Sequence, residues 1–192
     1  MMRIITGRAR GVKLFSLEGE QTRPTSERAK EAVFSMLQFE IEDRNVLDLF
    51  AGSGQLGLEA VSRGAAKAVM IDRSRDAVEV IKKNCIKTKL APFCEVLCSD
   101  YTEFLRACHG QRKFDMVFLD PPYGMKLIPD ALRQMLRYRA IEEGCTLICE
   151  SAAFEDVFGG DAALAARFER IKEVRYGVAC VTVLRLLSEV ET

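Results

Sequence analysis

The stretch NVLDLFAGSGQLG, residues 45–57, decides the fold. A short apolar run with one acid, NVLDLF, gives way to three glycines spaced G-x-G-x-x-G at Gly52, Gly54 and Gly57, and an apolar helical pattern then continues to about Arg63. A strand that runs through a glycine turn into a helix brings backbone amides close to a ligand, because glycine has no Cβ to hold the ligand off. Working outward, the same alternation repeats. KAVMID (67–72) reads as a strand and SRDAVEVIKKNCIKT (74–88) as a helix. CEVLCSD (94–100) is a strand followed by the short helix YTEFLRACHG, and FDMVFLD (114–120) is a strand followed by the helix LIPDALRQMLRYRAI. GCTLICES (144–151) is the fifth strand. Apolar strands separated by helices predict a parallel sheet covered on both faces.

The C-terminal end breaks the alternation. RFERIKEVRYG and VACVTVLRLL read as two strands meeting at Gly177, a terminal hairpin that places antiparallel pairing in the sheet. At the other end, residues 3–17 alternate weakly around Gly7 and Gly11 as a short hairpin or extended arm, and RPTSERAKEAVFSMLQF gives a helix capped by Thr25 or Ser26. The expected fold is α/β, a doubly wound and mostly parallel sheet with an antiparallel C-terminal hairpin and a small N-terminal extension. Residues 1–24 are expected as a basic arm or hairpin and residues 25–192 as one globular domain, which suits a chain of 192 residues.

Composition excludes several classes. With 48% apolar and 29% charged residues the chain is globular and not disordered. No apolar run approaches the ~20 residues of a membrane span, and the N-terminal segment lacks the apolar core of a secretion signal, so a cytoplasmic protein without membrane contact is expected. Seven cysteines without a C-x-x-C pair, and a single His109, point to small buried hydrophobes; no disulfide framework and no metal is expected.

Charge is balanced, 28 basic against 28 acidic residues, yet unevenly spread. Residues 1–30 carry seven Lys/Arg against three Glu, whereas residues 141–192 carry five Lys/Arg against ten Asp/Glu. A positive end on a neutral protein suggests one face for a polyanion, although a solvated basic arm would look the same.

Four strands end in carboxylates: Asp48, Asp72, Asp100 and Asp120. Ligands of doubly wound sheets bind beyond the C-terminal strand ends. Asp72, 18 residues after Gly54, is placed to accept from ribose hydroxyls, which fits a dinucleotide or any other adenosine-bearing cofactor. Asp48 separates these. It would repel a pyrophosphate at the helix start but suits a cationic tail, and S-adenosylmethionine carries a sulfonium and an ammonium. Asp100 would accept from an adenine amino group, with its neighbours shaping the pocket, or would cap a helix. FLDPPYG (118–124) stops the fourth strand with two prolines, which lack N–H groups and fix φ.

DPPY resembles the (Asn/Asp/Ser)-Pro-Pro-aromatic motif of class I methyltransferases that modify exocyclic amines. The resemblance implies that the Asp120 side chain and the Pro121 carbonyl accept from the target NH₂ and that Tyr123 stacks on the base. An aryl amine is a poor nucleophile, and rigid acceptors would stabilise the charge that develops on attack. RIITGRARGVKL, RPTSERAKEAVFSML, VLDLFAGSGQLGLEAVSRGA and DPPY together resemble the RsmD-type family of bacterial 16S rRNA guanine-N2 methyltransferases over about residues 3–150, and VRYGVACVTVLRL suits that family's last hairpin. The resemblance implies a seven-stranded, Rossmann-like class I fold and S-adenosylmethionine as donor, with S-adenosylhomocysteine as product. It implies cofactor binding at Asp48, Phe50, Gly52, Gly54, Asp72, Arg73, Asp100, Tyr101 and Asp120.

The implied target is a guanine of the 966 type in 16S rRNA, within an assembling or assembled small subunit and recognised by a monomer. Arg3, Arg8, Arg10, Arg23, Thr25 and Arg28 are the implied RNA contacts. Gln55 departs from the pattern, where a small residue such as Ala is expected, and the acidic C-terminal third suits a face turned away from RNA. The rival readings are an N6-adenine or other amino methyltransferase, a nicotinamide-dependent oxidoreductase built on GSGQLG, and a catalytically silent RNA-binding scaffold. Asp48 is unfavourable to the oxidoreductase, which also leaves DPPY without a role.

Overall fold

The apolar runs form the strands the alternation predicts. In a computed structural model describing residues 2–17, 31–37 and 39–188, seven strands make one mixed sheet in the order β3-β2-β1-β4-β5-β7-β6. They are β1 (Asn45–Asp48), β2 (Lys67–Asp72), β3 (Cys94–Cys98), β4 (Phe114–Leu119), β5 (Ile141–Ala152), β6 (Phe168–Tyr176) and β7 (Ala179–Leu186). The chain divides into two compact units, residues 1–101 and 102–192.

In the first unit, β2 pairs in parallel with both β1 and β3. The two helices of this unit that follow strands are α1 (Gln55–Ser62) and α2 (Arg75–Lys87). Most of α1 is buried, Leu58, Ala60 and Val61 together with the polar Gln55, Glu59 and Ser62. Ser74 caps α2, its hydroxyl accepting from the Ala77 amide at 3.3 Å, while Ala77, Val78, Ile81 and Cys85 form the buried stripe. A 3-10 turn, Ala91–Phe93, leads into β3. Residues 31–36 are helical, with Val33, Phe34 and Leu37 buried; the proposed cap at Thr25 or Ser26 lies outside the described residues.

The N-terminal segment forms a tight hairpin. The Ile4 amide donates to the Val12 carbonyl at 3.0 Å, the Leu14 amide to the Met2 carbonyl at 3.0 Å, and Arg3 bridges Lys13 in antiparallel fashion. This hairpin is fastened to α1. The Glu59 carboxylate, 1% exposed, accepts from the Ile5 and Thr6 amides at 2.7 and 3.0 Å and from Arg63 at 2.7 Å. Ser62 takes the Arg8 amide on its carbonyl at 2.8 Å and the Ala9 amide on its hydroxyl at 3.0 Å. Gly7 has φ +83° and sits against the Ser62 carbonyl so closely that a Cβ would lie 1.8 Å from its oxygen, so only glycine fits.

In the second unit, β5 pairs in parallel with β4 and antiparallel with β7, and β7 pairs antiparallel with β6. The terminal hairpin is therefore as expected. Its helices are α3 (Tyr101–Cys108), which begins on the last residue of the first unit, α4 (Leu127–Arg137) and the four-residue α5 (Ala162–Ala165). Two boundaries differ from the sequence reading. The helical pattern of residues 127–141 stops at Arg137, because Arg139 turns the chain with φ 51°, and β5 begins at Ile141 instead of residue 144. Gly144, φ 73°, lies inside the resulting register shift, where pairing jumps from Phe114–Ile141 to Met116–Thr146. The short α5 carries too weak a periodicity to read; Asp161 caps it by accepting from the Leu164 amide at 3.0 Å.

Candidate active site

The candidate residues fall into two groups, one in each unit. The first is built on the turn after β1. Gly54 adopts φ +78° and stands at the N-terminus of α1, and its amide donates to the Ala51 carbonyl at 2.7 Å. A Cβ on Gly54 would lie 3.0 Å from Ile81 Cγ2 on a left-handed backbone, and one on Gly57 would lie 2.7 Å from Met70 Cγ, so a side chain at Gly54 is strained and one at Gly57 would push the Met70 side chain aside. The third glycine, Gly52, also has a positive φ, 53°, and donates its amide to Asp72 Oδ2 at 2.9 Å.

Asp72 works on both sides. Its Oδ1 accepts from the Ser74 amide at 2.8 Å, which sets the start of α2. A carboxylate offers about four acceptor positions, so these two bonds leave capacity for ribose hydroxyls. Asp48 is fully buried, and its Oδ2 accepts from the Gly57 amide at 3.0 Å. A buried carboxylate is held by hydrogen bonds or by opposite charge, and a cationic ligand end would add to the bond that Gly57 supplies.

Phe50 and Tyr101 lie with ring centroids 5.3 Å apart, tilted by 50°. Asp100 is half-buried beside Tyr101, and Arg73 is exposed between Asp72 and Ser74. Asn84, which the sequence reading passed over, ties the glycine turn to the N-terminal segment. It is completely buried, donates to the Ser53 and Phe15 carbonyls at 2.9 and 3.0 Å, and accepts from the Phe15 amide at 2.7 Å. An adenosine-bearing group with a cationic tail fits this set: a turn with left-handed glycines at Gly52 and Gly54, a half-buried acid on β2, and a buried acid on β1.

Arg3, Arg8 and Arg10 are exposed on the N-terminal hairpin, and the Arg8 guanidinium lies 5.2 Å from the centroid of the Phe93 ring. Arg23, Thr25 and Arg28 lie outside the described residues.

The second group follows β4. Asp120 is half-buried, Pro121 buried, and Pro122 and Tyr123 exposed. Two acids that the sequence reading did not single out fix this loop. The Tyr123 hydroxyl donates to Glu150 Oε1 at 2.7 Å. Glu155 accepts from the Gly124 amide at 3.1 Å with one oxygen and from the Ala152 amide at 3.3 Å with the other, which fastens the DPPYG turn to the end of β5. A cavity of about 320 Å³ opens beside this loop, its walls including Pro122, Tyr123, Glu150, Phe154 and Glu155. Glu150 stands two residues before the end of β5, an acid near a strand tip as in β1, β2 and β4, and that pattern was the available signal.

The cysteines are packing residues in most cases. Five of the seven are buried, and burial pushes the Cys149 thiol up to about 12. Among the described residues no group of three or more His, Cys, Asp or Glu side chains is placed to hold a metal, and no helix is long and apolar enough to cross a membrane.

A family described as "Conserved hypothetical protein 95" matches residues 2–185. The chain is 40% identical to the ribosomal RNA small subunit methyltransferase D of Haemophilus influenzae over 132 residues, 68% of each chain.

The chain belongs to the RsmD-like methyltransferase family.

It is also 35% identical to the Bacillus subtilis protein YlbH, provisionally named an rRNA methyltransferase, over 78% of this chain and 82% of that one. A solved Escherichia coli structure provisionally described as the methyltransferase yhhF superposes with a TM-score of 0.83 at 30% identity, covering 98% of this chain and 99% of that one. A solved Streptococcus mutans structure provisionally described as a SAM-dependent methyltransferase shares the fold with a TM-score of 0.70 at 12% identity, covering 86% of this chain and 50% of that one. The Rossmann-like expectation and the cofactor expectation both stand.

Proposed function

We propose that this RsmD-like chain methylates the exocyclic N2 amine of a guanine in 16S rRNA, a site of the 966 type in the small subunit. The observation that carries the reading is the fixed DPPY turn: Tyr123 tied to Glu150 at 2.7 Å and Gly124 tied to Glu155 at 3.1 Å. The names of the relatives from Haemophilus influenzae and Escherichia coli, each a ribosomal RNA small subunit methyltransferase D, support rRNA as the substrate.

Asp48 binds the cationic amino acid end of the donor, Asp72 the ribose, and Asp100 the adenine amino group, with Phe50, Gly52, Gly54, Arg73 and Tyr101 completing the binding set. When bound, S-adenosylmethionine supplies an electrophilic methyl on a sulfonium. The chain's own contribution is to present the nucleophile. The Asp120 carboxylate and the Pro121 carbonyl accept from the two amine hydrogens, hold the nitrogen on line and stabilise the positive charge that grows on it. Two prolines keep these acceptors from relaxing away. The Tyr123 ring stacks on the base taken out of its helix, an interaction worth on the order of 1–3 kcal/mol. Arg3, Arg8 and Arg10, with Arg23, Thr25 and Arg28, meet phosphates. A chain of 192 residues recognises a folded rRNA region largely by shape, which favours a monomer acting on an assembling subunit.

The test is incubation with labelled S-adenosylmethionine and, separately, duplex DNA, naked 16S rRNA and small subunits, followed by mass-spectrometric mapping of the labelled nucleotide. Label on an rRNA guanine N2 is expected. Label on adenine in DNA, with rRNA untouched, would sink the reading.

A further inference from the structure

The DPPY motif grips an amine but does not by itself choose among bases, since guanine, adenine and cytosine all carry one. We infer that Glu150 is the residue that selects guanine, by accepting a hydrogen bond from the ring N1–H beside the target amine. This inference rests on the reading that the base enters beside Asp120 and Tyr123.

The argument starts from base chemistry. Next to its amine, guanine carries a ring N–H at N1. Adenine presents a bare N1 lone pair in the corresponding place, and cytosine a bare N3 lone pair. An acceptor-only group beside the amine therefore attracts guanine and repels the other two, and an ionised carboxylate is such a group. A site built to bond a substrate N–H rejects the analogue lacking it far more strongly than an apolar pocket can.

The structure puts a carboxylate in that place. Glu150 is 8% exposed, lines the cavity of about 320 Å³ and accepts from the Tyr123 hydroxyl at 2.7 Å. That volume falls at the lower end of the ~300–1,000 Å³ range of small-ligand pockets, enough room for one base. A base stacked on the Tyr123 ring in van der Waals contact, about 3.5–4 Å away, has its edge within reach of the group that holds the ring's own hydroxyl. A carboxylate has about four acceptor positions, so holding Tyr123 does not exhaust it. Phe154, 94% exposed on the cavity wall, offers an apolar surface on which the other face of the base can rest.

The test crosses a base analogue with a conservative variant. 16S rRNA is ligated so that the methylated nucleotide is guanine in one preparation and 2-aminopurine in the other; 2-aminopurine keeps the amine but has a bare N1. Wild-type protein is expected to favour guanine at least tenfold in kcat/KM. Glu150→Gln keeps the acceptor for Tyr123 and supplies an NH₂ donor, so the guanine to 2-aminopurine ratio should fall at least tenfold, with S-adenosylhomocysteine affinity by calorimetry unchanged. A ratio that stays at the wild-type value in Glu150→Gln would overturn the inference while leaving guanine methylation intact. Should the variant fail to fold, the wild-type comparison decides, since equal wild-type rates on the two RNAs also overturn it. Methylation of an adenine by the wild type would instead remove both this inference and the function it rests on.

Discussion

The Gly52 amide donates to Asp72 Oδ2 at 2.9 Å, across 20 residues of sequence, so the acid on β2 shapes the glycine turn that follows β1. Since Asp72 Oδ1 also holds the Ser74 amide at 2.8 Å, Asp72→Ala removes two acceptors at once. The variant should lose about 1–2 kcal/mol of stability, because partly exposed amides recover some of their bonding from water. Its affinity for S-adenosylmethionine should fall at least tenfold, because the proposed ribose acceptor is gone and the turn is loosened. Urea denaturation and calorimetry read the two effects separately, and unchanged cofactor affinity would remove Asp72 from the binding set.

Asp120→Ala should behave in the opposite way. Its carboxylate is assigned to the amine, where its interaction strengthens as charge develops, so the loss appears in turnover. S-adenosylhomocysteine affinity should stay within a few-fold, while methyl transfer falls by at least ~10². Single-turnover transfer at saturating cofactor is the measurement; turnover near the wild-type rate would overturn the role.

The contrast between these two acids shows what sequence could and could not yield. Strand positions were legible because four to eight apolar residues bounded by glycine or acid leave few alternatives, and DPPY stood out because two prolines end a strand. The polar fastenings were not legible. Glu59 and Asn84 look like ordinary helix residues in sequence, yet they bond amides 53 to 69 positions away, pairings that only the folded chain creates. Glu150 and Glu155 were hidden for a similar reason, since their partners Tyr123 and Gly124 lie 27 and 31 residues earlier. The start of β5 was misplaced because a positive φ at Arg139, a non-glycine residue, leaves no trace in periodicity.

The N-terminal hairpin is held against α1 by Glu59 and Ser62, so its exposed arginines are carried on a fixed surface. A fixed cation loses less freedom on meeting a phosphate than one on a loose arm. Replacing Arg8 and Arg10 together by Ala should weaken RNA binding at low salt. It should also reduce the slope of log K against log salt by about 0.7–0.9 for each phosphate that is no longer neutralised. Filter binding to 16S rRNA over a salt series checks this, and an unchanged slope would take both residues out of the interface.

Cys149 supplies a pH prediction whose sign follows from burial. Its thiol is pushed up from the ordinary 9.0 to about 12 because the charged thiolate would be desolvated, with Arg170 only partly offsetting this. Below pH 9 the group is neutral in both states and stability is unaffected by it. Above pH 9 the unfolded chain releases the proton and the folded chain keeps it, so the folded state binds more protons and stability falls as pH rises. The loss approaches about 1.4 kcal/mol per pH unit until the folded thiol itself ionises. Cys149→Ala removes this component and adds only a pH-independent packing offset. Urea unfolding at intervals from pH 8 to about pH 11 should therefore show wild type losing stability more steeply than Cys149→Ala above pH 9. Parallel curves across that window would mean that Cys149 is more accessible to solvent than its burial in β5 implies.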